Sequence, residues 1–130
     1  MGKKKILIVD DEENIVQLLK LNLERSGEFE IRTETRGRQA FSAAKEFNPD
    51  LIILDMTMPD VGGKEAALQI KAEESLKKIP FIFLTGLVDE NALNTKNSEL
   101  AGCPFLSKPV STKDLISCIK EELSNKKGGG

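Results

Sequence analysis

Reactive side chains stand directly after four short segments of this sequence, three of them wholly apolar. Asp55 follows the aliphatic run at residues 51–54, and the other reactive residues are Asp10 and Asp11 after residues 6–9, Thr85 after 81–84, and Lys108 after 104–107. Short apolar runs bounded by turn residues are typical of strands buried on both faces. An unpaired carboxylate at the end of a buried strand is costly to desolvate, so Asp55 needs a cation or a reaction to justify its position.

The three aspartates predict a magnesium site if the strands that carry them are neighbours. Carboxylates that lie close together repel one another, and without a counter-charge the pKa of at least one would rise until it held a proton. The candidate ligands Asp10, Asp11 and Asp55 are all oxygen donors, and the chain contains no histidine. Such a set favours a hard cation, and Mg²⁺ suits a few carboxylates together with waters and a phosphate oxygen.

Lys108 and Thr85 add the groups that an anion needs. A lysine supplies a compact positive charge and a threonine supplies a hydroxyl donor, and both suit anionic oxygens. With Mg²⁺ they form a site for a phosphoryl group in transfer, and a carboxylate beside them can be its nucleophile. Asp55 is the central candidate for that nucleophile.

Five strands alternating with five helices position these residues. The strands are predicted near residues 6–9, 29–33, 51–55, 81–84 and 104–107, and four of the helices near 10–26, 37–47, 88–100 and 111–125. The remaining helix is predicted to follow Gly63 and to end before Ile79-Pro80. This alternation predicts an α/β fold, a single doubly wound domain whose five-stranded parallel sheet has helices on both faces. In such a sheet the carboxyl ends of the strands form the binding crevice, so the reactive residues are expected to meet there.

Helical spacing predicts which side chains of each helix face the sheet. The inward residues are expected to be Ile15, Leu18, Leu19 and Leu23 on the first helix, Ala40, Phe41, Ala44 and Phe47 on the second, Ala66, Ala67 and Ile70 on the third, and Leu115, Cys118, Ile119 and Leu123 on the last. Ser111 and Asp114 have the spacing of a capping box at the start of the last helix. The segment 88–100 has few apolar residues and predicts a weak, partly exposed fourth helix.

The amino-acid composition argues against several functional classes. The chain has 130 residues, 31% of them charged, and a formal net charge of -2, so charge alone indicates no nucleic-acid-binding surface. Its two cysteines form no CxxC pair, which argues against a zinc site or a disulfide scaffold. We expect one soluble, cytoplasmic domain over residues 1–125, no membrane partner, and a flexible tail or cloning remnant at 126–130.

Four segments resemble the signatures of the receiver domain of two-component response regulators. They are Ile6-Leu7-Ile8-Val9-Asp10-Asp11, Leu54-Asp55-Met56-Thr57-Met58-Pro59, Leu84-Thr85-Gly86 and Phe105-Leu106-Ser107-Lys108-Pro109. The likeness extends over nearly the whole chain and implies a CheY-like, flavodoxin-like fold with strand order 2-1-3-4-5. Gly86, where alanine is commoner, and Cys103-Pro104, in place of an acidic pair, depart from the family pattern without touching the phosphorylation chemistry.

The resemblance implies a role for each site residue. Asp55 would accept a phosphoryl group from a phosphohistidine on a sensor histidine kinase or a phosphotransfer protein. The magnesium ligands would be Asp11 and Asp55 directly, Asp10 through water, and the backbone carbonyl of Thr57. Thr85 and Lys108 would hold the phosphoryl group, and Phe105 would act with Thr85 as the conformational switch. The Lys108-Pro109 bond would be cis.

The output would be a changed protein-interaction surface rather than enzymatic turnover on an outside substrate. The surface is expected on the fourth helix, the fifth strand and the last helix, without direct nucleic acid binding, and the domain would assist its own phosphorylation and dephosphorylation. Alternatives are an aspartyl-phosphate phosphohydrolase, an FMN-binding protein, and a receiver-like interaction module that works without phosphorylation. Taken singly, each residue more often has a plain structural role, such as a helix-start acid or a core aromatic. Their joint placement favours the receiver.

Overall fold

The sheet contains five parallel strands in the order β2-β1-β3-β4-β5. It is seen in a computed structural model that describes residues 2–86 and 103–128. The strands are β1 (Lys4–Val9), β2 (Phe29–Glu34), β3 (Leu51–Asp55), β4 (Phe81–Thr85) and β5 (Phe105–Ser107). The predicted fold class and strand order are therefore confirmed.

Helices follow the strands along the chain. They are α1 (Glu13–Arg25), a short 3-10 helix (Gly37–Gln39) leading directly into α2 (Ala40–Phe47), α3 (Gly63–Lys71), and a C-terminal helix (Thr112–Gly128). The helix predicted over 88–100 lies outside the described residues. None of the helices in the described part of the chain is both long and apolar enough to cross a bilayer.

The sheet separates two apolar cores. Alternate residues of β1 and β3 point to opposite faces, so that Leu7 and Ile52 belong to one core and Ile6 and Ile53 to the other. Helices α2 and α3 cover the first core, whereas α1 and the C-terminal helix cover the second. All five residues of β3 are buried, as predicted for a central strand of a parallel sheet.

The inward face of α1 differs from the prediction. Val16, Leu19 and Leu23 are buried, whereas the side chain of Leu18 is 57% exposed. Val16, Leu19 and Leu23 follow the spacing of three and four that makes one helical stripe. Leu18 is two positions beyond Val16, a rotation of roughly 200° about the helix axis, so it faces away from the sheet. The expectation that Leu18 points inward is wrong.

The C-terminal helix begins as predicted and ends later than predicted. The amide of Asp114 donates to Ser111 Oγ over 3.1 Å, which is one half of the expected capping box. The helix extends to Gly128, three residues beyond its predicted end near residue 125. Lysine has a good intrinsic helix propensity and is favoured near a helix C terminus, which accounts for the extension.

Candidate functional site

Strand pairing brings the three predicted acids together. β1 and β3 are neighbours, with Val9 opposite Leu54, so the residues that follow them reach the same edge of the sheet. Asp10, Asp11 and Asp55 each offer a carboxylate oxygen, and these oxygens lie within 4.8 Å of one another. Asp10 and Asp55 are buried and Asp11 is exposed. The acids therefore form a compact cluster that is open to solvent on the side of Asp11.

Lys108 reaches this cluster from β5. Its Nζ lies 2.8 Å from Asp10 Oδ2 and 3.4 Å from Asp55 Oδ2. The lysine backbone is held because its amide donates to the carbonyl of Thr85 over 2.8 Å. The Lys108-Pro109 peptide bond is cis, as the resemblance implied. One largely buried ammonium thus faces two buried carboxylates.

Thr57 supplies a backbone hydrogen bond to the Asp55 side chain. The amide of Thr57 donates to Asp55 Oδ1 over 3.2 Å, and the Thr57 hydroxyl is 3.5 Å from the same oxygen. Burial raises the pKa of Asp55 from an ordinary 3.8 to about 6, the Thr57 amide opposes this change, and the charge of Asp10 adds to it. The metal-free fold therefore disfavours the charged form of the candidate nucleophile.

The pKa of Lys108 is raised, although burial alone would lower it. Burial lowers it, but hydrogen bonding to Asp10 and Glu12 outweighs burial and raises it above its ordinary value. The lysine therefore stays charged at any physiological pH. It offers a fixed positive charge beside Asp55.

The side chain of Asp10 contacts a backbone amide and the Lys108 ammonium. Its Oδ1 accepts from the amide of Glu12 over 2.9 Å. Its Oδ2 is buried and pairs with the Lys108 ammonium at 2.8 Å. The site therefore holds three acids and one ammonium, an excess of carboxylates. An all-oxygen group of acids with such an excess fits a hard divalent cation such as Mg²⁺.

Thr85 and Phe105 lie on adjacent strands next to the cluster. Thr85 is buried at the end of β4, where it pairs with Ser107 of β5. Phe105 lies on β5, two residues before Ser107, and is half-buried. Its ring stacks on that of Phe83, with the ring centroids 5.1 Å apart. The two residues that the resemblance marks as a switch are therefore linked through two paired strands.

Two residues that contact this region were not singled out in the sequence. Glu12 places Oε1 2.8 Å from Lys108 Nζ, although its side chain is 55% exposed. Asp60 accepts hydrogen bonds from the amides of Gly37 and Arg38. The position of Glu12 directly after two candidate ligands is a signal that was available. The partners of Asp60 lie more than 20 residues away, so no local pattern indicates them.

Comparison with known proteins identifies the family. Residues 6–120 match the family model described as the response regulator receiver domain. This chain is a response regulator receiver domain. Receiver domains are the phosphoacceptor modules of two-component signalling, so the resemblance in the four signature segments is confirmed. The family match favours the receiver domain over the FMN-binding and phosphohydrolase alternatives.

Relatives and solved structures agree with this assignment. The alkaline phosphatase synthesis transcriptional regulatory protein PhoP of Bacillus subtilis is 38% identical over 117 residues, 90% of this receiver domain and 47% of PhoP. The polar-differentiation response regulator DivK of Brucella ovis is 34% identical over 123 residues, 94% of this chain and 98% of DivK. The chain thus spans about half of one relative and nearly all of the other.

Two solved structures show the same fold. A CheY-like receiver domain protein from Methanospirillum hungatei JF-1 has a TM-score of 0.83 and 30% identity, covering 99% of this chain and 100% of that one. The receiver domain of the sensor histidine kinase PA1611 from Pseudomonas aeruginosa PAO1 has a TM-score of 0.82 and 24% identity, covering 95% and 99%. That second structure has a magnesium ion coordinated in its active site cleft.

Proposed function

We propose that this receiver domain accepts a phosphoryl group on Asp55 from the phosphohistidine of a histidine kinase or of a histidine phosphotransfer protein. The observation that carries the proposal is the meeting of three acids with one ammonium. Asp10, Asp11 and Asp55 come together at the carboxyl edge of the sheet, and Lys108 Nζ lies against two of them. These residues come from the ends of three strands, with Asp10 and Asp11 after β1, Asp55 at the end of β3 and Lys108 after β5, so the sheet itself holds the arrangement.

Mg²⁺ is the proposed cofactor. Asp11 and Asp55 would bind it directly, Asp10 through water, and the carbonyl of Thr57 would complete the protein ligands. The close approach of the three acids supports this ligand set, because their carboxylate oxygens lie within 4.8 Å of one another. The pKa of Asp55 is raised chiefly by its burial and further by the charge of Asp10, and a cation would offset both effects. When bound, the ion would neutralise the acids and would supply positive charge for the incoming phosphoryl group.

The transfer needs an ionised nucleophile at the centre of the site. An oxygen of Asp55 attacks phosphorus, the new O–P bond gives an acyl phosphate, and the N–P bond to the donor imidazole breaks. The imidazole leaves with the electron pair of that bond and takes up a proton. The Thr57 amide, which donates to Asp55 Oδ1, holds the carboxylate so that its other oxygen faces the donor.

Lys108 and Thr85 stabilise the charge that arrives with the phosphoryl group. Lys108 is charged before transfer and lies 3.4 Å from Asp55 Oδ2, so it needs little movement to pair with a phosphoryl oxygen. The hydroxyl of Thr85 would bind a second phosphoryl oxygen. The domain would thereby assist its own phosphorylation and, with water as the attacking group, its own dephosphorylation.

Phosphorylation would change a protein-interaction surface. A movement of Thr85 toward the phosphoryl group would be sensed by Phe105 across the pairing of β4 with β5. We place the output surface on the predicted fourth helix, β5 and the C-terminal helix, with a protein target rather than nucleic acid, in a cytoplasmic setting. Such a switch works by shifting the populations of two conformations.

Intact mass after treatment with acetyl phosphate tests the proposal. The wild-type protein should gain the mass of one phosphoryl group when Mg²⁺ is present and little without it. Asp55→Asn should gain none under either condition, because the amide is not a nucleophile. A wild-type protein that stays unmodified, or an Asp55→Asn variant that is modified equally, would contradict the proposed function.

A further inference from the structure

The side chain of Asp60 connects the loop between β3 and α3 to the start of the 3-10 helix at Gly37 by hydrogen bonds. Asp60 Oδ1 accepts from the amide of Gly37 over 3.1 Å, and Oδ2 accepts from the amide of Arg38 over 3.0 Å. These amides open the 3-10 helix that leads into α2, where backbone donors have no partner within the helix. A single carboxylate thus satisfies two donors that lie 22 and 23 residues before it.

The backbone packing beside this carboxylate is tight. A Cβ atom on Gly37 would collide with the carbonyl oxygen of Val61 and would lie 3.1 Å from Met58 Cε. The contact is with backbone at the Val61 side, so it cannot be relieved by rotating a side chain. The loop and the start of α2 therefore fit together only because residue 37 is a glycine.

The loop is also closed at its base. The amide of Gly63 donates to the carbonyl of Met56 over 3.2 Å, and a Cβ on Gly63 would collide with the carbonyl oxygen of Asp55 and lie 2.8 Å from Met56 Cα. Thr57 lies between this closure and the Asp60 contact. The segment that carries Thr57 is consequently fixed at both ends, at one end by β3 and at the other by α2.

The Asp60 contact borders the acidic cluster. A cleft of about 280 Å³ is lined by Asp11, Glu13, Thr35, Arg36, Pro59 and Asp60. The Arg38 amide is the main cause that lowers the pKa of Asp60 to about 2, with further help from the Gly37 amide. Asp60 is therefore ionised, and both hydrogen bonds are available, throughout the pH range in which the domain would work.

We propose that Asp60 is a positioning residue for the metal site, acting by holding the loop so that the carbonyl of Thr57 can serve as a ligand. This inference rests on the proposed function of Asp55 and its magnesium site. Asp60 itself need not touch the ion. Groups that orient metal ligands affect metal affinity strongly even when they make no bond to the metal.

A set of variants separates geometry from charge. Asp60→Ala removes both hydrogen bonds, Asp60→Asn keeps one acceptor without the charge, and Asp60→Glu keeps the charge but displaces the carboxylate by one methylene. Asp50→Ala is the matched control, because Asp50 Oδ2 also accepts from a backbone amide, that of Lys5 at 2.8 Å, but at the opposite edge of the sheet. Asp60→Asn serves if the alanine variant fails to fold.

Two measurements are made on each variant. Backbone amide shifts during a Mg²⁺ titration give the dissociation constant, and the rate of phosphorylation by acetyl phosphate is followed against Mg²⁺ concentration. Asp60→Ala and Asp60→Glu should both weaken Mg²⁺ binding, by about tenfold, the lower end of the usual effect of groups that orient metal ligands. Asp60→Asn should lie between them and the wild type. At saturating Mg²⁺ their phosphorylation rates should approach the wild-type rate, and Asp50→Ala should bind Mg²⁺ as the wild type does.

Other outcomes overturn the inference. If Asp60→Ala lowers the denaturation midpoint but leaves Mg²⁺ affinity unchanged, Asp60 is a helix cap only. If Asp60→Glu binds as the wild type does while Asp60→Asn matches Asp60→Ala, the effect is one of charge and not of position. A wild-type protein that binds no Mg²⁺ and accepts no phosphoryl group would overturn the proposed function as well, so the two failures are distinguishable.

Discussion

At the scale of single residues, Asp55 makes the metal-free domain less stable at neutral pH. Its pKa is raised from 3.8 to about 6 in the fold, so folding favours its protonated form. The stability that this preference provides is fully present below pH 3.8 and is lost as the pH rises through 6. A pKa difference of about two corresponds to roughly 3 kcal/mol, which is an upper value because the loop can relax.

We therefore expect Asp55→Asn to stabilise the metal-free protein. With EDTA present, the variant should exceed the wild type by about 1–3 kcal/mol at pH 7.5 and by much less near pH 4. The chain contains no tryptophan or tyrosine, so urea unfolding is best followed by far-UV circular dichroism. Adding Mg²⁺ should stabilise the wild type and not the variant. An equal difference between the two proteins at both pH values would contradict the role of Asp55 burial.

Lys108 makes two ion pairs of equal length. We predict that they contribute unequally to the free energy of unfolding. Its Nζ lies 2.8 Å from both Asp10 and Glu12, but Asp10 is buried and Glu12 is 55% exposed. Lys108→Met would leave buried acids without a counter-charge and should lower the free energy of unfolding by roughly 2–4 kcal/mol at pH 7. Glu12→Gln should lower it by less than about 1 kcal/mol.

Urea unfolding of the Lys108 and Glu12 variants without Mg²⁺ measures this contrast. Mg²⁺ should restore part of the loss in Lys108→Met, since the ion replaces the missing positive charge. Equal losses in the two variants would show that distance alone, and not burial, sets the strength of the pairs.

At the scale of elements, the junction between β3 and α3 depends on a glycine. Gly63→Ala would place a Cβ against the backbone of Asp55 and Met56, and strand β3 is too constrained by its neighbours to move away. We expect a loss of about 2 kcal/mol or more in stability and reduced phosphorylation, because Asp55 would be displaced. Thermal unfolding and the acetyl phosphate mass assay measure the two effects.

Gly62→Ala provides the control for Gly63→Ala. A Cβ on Gly62 would meet only the carbonyl oxygen of Met56 at 3.8 Å, which is an ordinary contact. This variant should lose less than about 1 kcal/mol and should be phosphorylated normally. If Gly63→Ala were as stable and as active as Gly62→Ala, the close approach described here would be wrong.

The elements were largely predictable because the apolar runs are short and clearly bounded. The sequence predicts β3, with its four aliphatic residues and its final aspartate, at its observed limits. It also predicts Ser111 as the capping residue before the C-terminal helix, which begins at Thr112. The orientation of α1 was not predictable, because aliphatic residues are at Leu18, Leu19, Leu21 and Leu23 and offer more than one apolar stripe. Contact with the sheet, which is a tertiary effect, selects the stripe.

The site was predictable where it follows from topology and not where it depends on side-chain reach. Parallel strands that end at one edge must bring Asp10, Asp55 and Lys108 near one another. The ion pair of Glu12 and the hydrogen bonds of Asp60 depend on loop paths and rotamers. No spacing rule in the sequence specifies those paths.

At the scale of the whole molecule, the proposed phosphorylation of Asp55 would have to alter a surface at some distance from it. β4 pairs with β5 through Phe83 opposite Phe105 and Thr85 opposite Ser107, so a displacement at Thr85 acts on the neighbouring strand. Adding beryllofluoride and Mg²⁺ should therefore shift backbone amides of β5 and of the C-terminal helix, besides those around Asp55. Asp55→Asn, which cannot form the acyl-phosphate mimic, should show no such shifts. Changes confined to α1 and α2 would contradict the proposed output surface.

The burial of Asp10 and Asp55 beside the single ammonium of Lys108 has a wider consequence. Two acids that share one cation are costly to keep inside a fold. Any ligand that binds only the folded protein and neutralises them would therefore stabilise the whole domain, and not only the loops that contact it.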